Sequence, residues 1–126
     1  MAETKTILVV EDNEINMKLV KTLLTIKNYI VLEAGDGEKG IELARIYKPD
    51  LILMDIQLPG MDGLTATQVI KSEADLSCIP VVALTSHAMR GDEERALAAG
   101  CSGYITKPID TRSFLAKIHA FLSHSE

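Results

Sequence analysis

Five residues carry most of the chemistry this sequence offers: Glu11, Asp12, Asp55, Thr85 and Lys107. Each stands where an apolar run ends. Ile7-Leu8-Val9-Val10 leads into Glu11-Asp12, Leu51-Ile52-Leu53-Met54 into Asp55, Val81-Val82-Ala83-Leu84 into Thr85, and Gly103-Tyr104-Ile105-Thr106 into Lys107. Three carboxylates brought together repel, and raise one another's pKa unless a cation sits among them. An oxygen-only set suits a hard divalent ion; magnesium takes one or two carboxylates and a phosphate oxygen and keeps several waters. With a hydroxyl and an ammonium added, the set suits phosphoryl transfer: a metal, a donor and a cation around a phosphoryl group, with a carboxylate as nucleophile. Taken singly, each residue has a plainer role. Asp12 or Asp55 could cap a helix, Thr85 could be a β-former at a strand end, and Lys107 a surface lysine. The set taken together outweighs those roles.

The elements that must position these residues alternate along the chain. Five short apolar runs read as strands, over Thr6–Val10, Ile30–Ala34, Leu51–Met54, Val81–Leu84 and Gly103–Thr106. Leu51–Met54 is apolar without alternation, which predicts a strand buried on both faces of a parallel sheet. Pro59, Gly60 and Gly63 then turn the chain. Between the strands lie helical patterns. Asn13 caps the first, with a stripe of Ile15, Leu19 and Leu23 beside Val20 and Leu24. Asp36-Gly37 opens the second, with Ile41, Ala44 and Ile46 inward. Asp62 caps the third, where Leu64, Val69 and Ile70 pack, and a loop over Ser72–Ile79 follows. The fourth, about Asp92 to Ala99, has the weakest apolar signal; its acidic start suits a helix N-terminus. Asp110 caps the fifth, with Phe114, Ile118, Phe121 and Leu122 inward. Alternating βα units imply a doubly wound α/β fold with right-handed crossovers. The flavodoxin-like strand order 2-1-3-4-5 places Glu11-Asp12 and Asp55 at its switch point, where such sheets bind ligands.

Composition bounds the rest. The 126 residues are enough for one domain with a real core, and 47% of them are apolar. No apolar run approaches a membrane span, and the N-terminus lacks the pattern of a signal peptide, so a cytoplasmic protein is expected. Cys78 and Cys101 form no C-x-x-C pair and read as small buried or semi-buried thiols. His87, His119 and His124 lack the spacing of a zinc site. A net charge of −5 disfavours nucleic acid and points weakly to a protein partner. Neither G-x-x-x-x-G-K-[ST] nor G-x-G-x-x-G occurs.

The acidic pair Glu11-Asp12, Asp55 within LILMDIQLPGMDG, Thr85 within VVALTS and Lys107-Pro108 within YITKPI, in that order, resemble a response-regulator receiver domain of two-component signalling over residues 5–122. VEDNEINMKL and AMRGDEER further resemble small stand-alone regulators, and also the receivers of hybrid histidine kinases. The resemblance implies that Asp55 accepts a phosphoryl group from a histidine kinase or histidine phosphotransfer protein. It implies magnesium, or manganese or another divalent ion in its place, on Glu11, Asp12, Asp55 and the backbone carbonyl of Gln57. Lys107 would hold the phosphoryl oxygens, with a cis Lys107-Pro108 bond. Thr85 and Tyr104 would form a switch, and Gln57 and His87 would tune dephosphorylation. A single receiver domain over 1–126 without an effector domain would signal to a downstream kinase or adaptor, with no nucleic-acid or membrane partner and no activity beyond its own phosphorylation and dephosphorylation. An aspartyl-phosphate hydrolase of the haloacid dehalogenase type would want a second Asp where Gln57 stands. A receiver excised from a hybrid kinase, or one that is never phosphorylated, are the other readings.

Overall fold

The computed structural model describes residues 4–85 and 91–124. The elements run β1 (Thr6–Val10), α1 (Glu14–Ile26), β2 (Ile30–Ala34), α2 (Gly37–Tyr47), β3 (Leu51–Asp55), α3 (Gly63–Ser72), β4 (Val81–Thr85), α4 (Asp92–Ala99), β5 (Gly103–Thr106) and α5 (Phe114–His124). All five strands are parallel, in the order β2-β1-β3-β4-β5. This is the doubly wound α/β fold that the alternating pattern predicts. β3 and β4 each extend one residue beyond the expected end, so Asp55 and Thr85 are themselves strand residues.

Side-chain alternation in the strands builds two cores. Leu8, Val10, Ile52, Met54, Val81 and Ala83 face α2, α3 and α4. Ile7, Val9, Leu51, Leu53, Val82 and Leu84 face α1 and α5. β3 and β4 are buried along their whole length, which is why their sequences show no polar alternation. Each fully buried Leu or Ile contributes about 1.5–3 kcal/mol relative to an exposed one.

Three helix readings need correction. α1 buries Met17, Val20 and Leu24, while Ile15 is 80% exposed and Leu19 is 36% exposed. A row of residues at spacing four drifts about 40° around the axis per step. The row therefore winds from partly buried Leu23, which packs on the core, out to solvent at Ile15. Ile46 in α2 is likewise exposed, because it lies two positions, about 200°, around the helix from buried Ala44. Asp110 does not cap α5. Its carboxylate accepts from the Arg112 N–H at 2.9 Å, closing a turn over residues 111–113, and the helix starts only at Phe114. α3 keeps Ser72, so the following loop starts at Glu73; it tucks Leu76 and Ile79 into the core. Cys101 is buried, but Cys78 is exposed on that loop.

Candidate functional site

The strand ends gather the charged residues on one rim of the sheet. Glu11 follows β1 and Lys107 follows β5; Asp55 ends β3. By alternation all three share the pleat that faces α1 and α5. The Lys107 ammonium bridges the two acids, 2.6 Å from Glu11 Oε1 and 2.9 Å from Asp55 Oδ2. Glu11 and Asp55 are 3% and 2% exposed, so this is an ion pair largely out of water. Asp12 is exposed beside them. Each of Glu11, Asp12 and Asp55 offers an oxygen within 4.8 Å of the others. The second Asp55 oxygen, Oδ1, accepts from the Gln57 backbone N–H at 2.9 Å, which fixes the carboxylate from the loop side.

The electrostatics follow from that crowding. Burial, then the hydrogen bond and charge of Asp55, push the Glu11 carboxyl from 4.5 up to about 7, against the opposing pull of Lys107. Burial alone would lower the Lys107 pKa, but its hydrogen bonds to Glu11 and Asp55 outweigh this and raise it. Among the described residues, the pocket therefore holds one cation for three acids. An oxygen-only donor set with uncompensated negative charge fits a hard divalent ion.

Thr85 ends β4, fully buried, and its hydroxyl has no hydrogen-bond partner among the described residues. It lies on the opposite pleat from Asp55, together with Ala83, on the face that α4 covers. Tyr104 pairs in register with Ala83 and shares that face, but it is 37% exposed, and the Glu93 carboxylate pushes its phenol pKa up. Gln57 is exposed on the loop after β3, and the Lys107-Pro108 peptide bond is cis. His87 lies outside the described residues.

Local structure sets these positions. Asn13 Oδ1 accepts from the Asn16 N–H at 3.0 Å and starts α1 directly after the acidic pair. Asp62 Oδ1 does the same for α3, with Thr65 N–H at 2.8 Å. Gly63 was not singled out for the site by the sequence, and it matters. A Cβ there would stand 2.1 Å from the Asp55 carbonyl oxygen and 2.8 Å from Ile56 Cα. Only glycine lets the first turn of α3 rest on the backbone of the Asp55 strand end. The signal was legible as an Asp-Gly pair at a helix start.

A doubly wound (βα)5 sheet with a metal-competent acidic pocket and a half-buried lysine at its carboxyl rim defines the CheY-like class of folds. Residues 7–119 match the response regulator receiver domain, and the chain belongs to that family. Receiver domains are phosphoacceptor switches rather than enzymes in the usual sense. The chain is 46% identical to the polar-differentiation response regulator DivK of Brucella ovis, over 94% of this chain and 97% of that protein. Among solved structures it is similar to the receiver domain of a Pseudomonas aeruginosa sensor histidine kinase with magnesium coordinated in the active site cleft: TM-score 0.89, 32% identity, 96% of this chain and 99% of that one. It is also similar to a chain from the co-crystal of the Saccharomyces cerevisiae histidine phosphotransfer protein Ypd1 and the receiver domain of Ssk1, with TM-score 0.87 and 27% identity over 95% of this chain and 90% of that one. No helix among the described residues is long and apolar enough to cross a membrane.

Proposed function

We propose that this chain is a phosphorelay response regulator that accepts a phosphoryl group on Asp55 and signals through a protein surface that phosphorylation alters. The observation that carries the reading is the convergence of three carboxylates with Lys107 bound directly to Asp55. An Asp55 oxygen attacks phosphorus of a phosphohistidine on a kinase or phosphotransfer protein. The P–N bond breaks, its electron pair leaves with the imidazole, which takes up a proton, and an acyl phosphate forms. Lys107 then exchanges its bond to the carboxylate for one to a phosphoryl oxygen, and the Thr85 hydroxyl gains the acceptor it lacks. Glu11, Asp12, Asp55 and the Gln57 carbonyl would hold magnesium, which would neutralise charge on the transferring phosphoryl oxygens. The magnesium-bearing relative and the phosphotransfer-protein co-crystal support the cofactor and the donor class.

The coupling residues lie on β4 and β5, so the output face in this reading is α4, β5 and α5. Leu97 and Tyr104 are exposed there, 51% and 37%. The partner is a kinase or adaptor in the cytoplasm, and the net charge of −5 speaks against nucleic acid. The test uses acetyl phosphate and magnesium. The protein gains one acid-stable, base-labile phosphoryl group, and Asp55→Asn abolishes it, because an amide forms no acyl phosphate. Labelling that persists in Asp55→Asn would place the acceptor elsewhere and end this reading.

A further inference from the structure

The two ends of α4 are held differently. The helix finishes in a Schellman turn: the Gly100 N–H donates to Leu97 O at 3.1 Å and the Cys101 N–H to Ala96 O at 3.0 Å, with Gly100 at φ +111°. Ala96, Ala99 and Cys101 are buried beside that turn, and the Ser102 N–H then donates to Val81 O at 2.8 Å, where β4 begins. The start of α4, toward the carboxyl rim, has no side-chain cap, and Glu94 and Arg95 there are exposed.

Lys71, in the last turn of α3, lies against the fastened end. A Cβ at Gly100 would stand 2.8 Å from Lys71 Cγ, 3.5 Å from its Cβ and 3.7 Å from its Cδ, so the lysine stem runs along the glycine. A surface lysine normally keeps its head in water and buries only that stem. Here the ammonium turns in and donates to Ser77 O at 3.1 Å and Ile79 O at 2.5 Å, in the loop that leads into β4. Burial lowers its pKa, a desolvation cost that the two carbonyls offset.

We propose that Lys71 is a positioning residue that pins the C-terminal end of α4 to the entry of β4, so that α4 answers a change at Asp55 by swinging about Gly100 rather than by sliding as a whole. This rests on the phosphoacceptor reading above and adds how the signal crosses α4. Three elements meet at the pin. α3 supplies the lysine, the loop before β4 supplies the acceptors, and α4 supplies the residue without a Cβ that lets the stem pass. At 1.5 Å per residue, the helix from Asp92 to Ala99 is about 12 Å long, so a swing of about 10° moves its rim end by about 2 Å and its pinned end hardly at all. The surface that changes for a partner is therefore the first turns of α4.

Two measurements on the full chain test this. In the unmodified protein, amide hydrogen exchange of Gly100, Cys101 and Ser102 should quicken about tenfold in Lys71→Ala, as loss of one charge-assisted hydrogen bond allows. Lys71→Arg, which keeps a long stem and cationic donors, should restore most of the protection. A residue that only stabilised the fold as a whole would quicken the deep amides of β1 and β3 and leave this local opening at its wild-type rate, and that result overturns the proposal. Second, the phosphoryl mimic beryllofluoride with magnesium should turn the N–H vectors of α4 in the wild type, read as residual dipolar couplings, and leave that of Ser102 unchanged. In Lys71→Ala the Ser102 vector should turn as well. Unchanged α4 vectors in the mimic-bound wild type, or a Ser102 vector that turns as far as they do, also overturn the proposal. Failure of every variant to bind beryllofluoride would count against the phosphoacceptor reading alone, and leave the exchange rates to decide for Lys71.

Discussion

Glu11 and Lys107 behave as they do because they share a dry site. Glu11 holds its proton up to about pH 7 in the fold, but releases it near 4.5 when exposed to water. Between those values the unfolded chain binds fewer protons than the folded one, so metal-free stability falls as pH rises through that window. Glu11→Gln should remove the slope, as urea denaturation with a chelator at a series of pH values would show. An unchanged slope would mean that Glu11 titrates normally. Lys107→Ala should cost about 3 kcal/mol without metal, because it strands two buried carboxylates. Magnesium should recover much of that loss and bind no more weakly than in wild type, since a competing cation has gone and no ligand has. Calorimetric titration showing weakened binding would overturn that division of roles. At this scale the sequence said a good deal about which residues stand at the rim, because strand ends marked by acids, a hydroxyl and a lysine are local features. It said nothing of who bonds to whom. The Lys107 bridge to both Glu11 and Asp55 depends on strand order and register, which no single stretch encodes.

Helices in this chain are placed by their first residues and by small contacts beneath them. Asn13→Ala removes the α1 cap and should cost about 1 kcal/mol. Gly63→Ala is a harsher change, because the atoms in its way are backbone. It should cost about 2–3 kcal/mol and displace the loop bearing Gln57. Thermal denaturation would measure the first quantity, and the amide shift of Gln57 would report the second; an unmoved Gln57 amide would leave Gly63 a purely structural role. β1, β3 and β4 were legible nearly to the residue because burial on both faces produces unbroken apolar runs. Helix starts at Asn13, Asp36 and Asp62 were legible from capping chemistry. The inward faces were less so. Ile15 and Ile46 are apolar yet exposed, because which side of a helix lies down depends on the sheet beneath it and not on apolar count. Asp110 misled for a related reason: an aspartate that closes a turn and one that caps a helix look the same until the next three residues are placed.

As a whole, the molecule is two cores sharing one sheet, so a change in β3 is felt on both sides. Leu53→Ala should cost about 2–5 kcal/mol, read from denaturant midpoints, and a loss under about 1 kcal/mol would mean the site repacks freely. Thr85→Ala, wholly buried at the end of β4, should still accept a phosphoryl group on Asp55 but lose most of the phosphate-dependent gain in partner affinity. Equal gains in both proteins would remove Thr85 from the path. The bridge from Lys107 to Glu11 spans 96 positions of sequence. A ribosome makes those positions in order. Glu11, Asp12 and Asp55 leave the tunnel long before their cation does, and the sheet that would bury two of them must wait, its acids hydrated and repelling, until β5 arrives to neutralise them. The newborn chain therefore has an electrostatic reason to keep this sheet open until β5 has been made, and the residue that completes the pocket is also one that eases its closing.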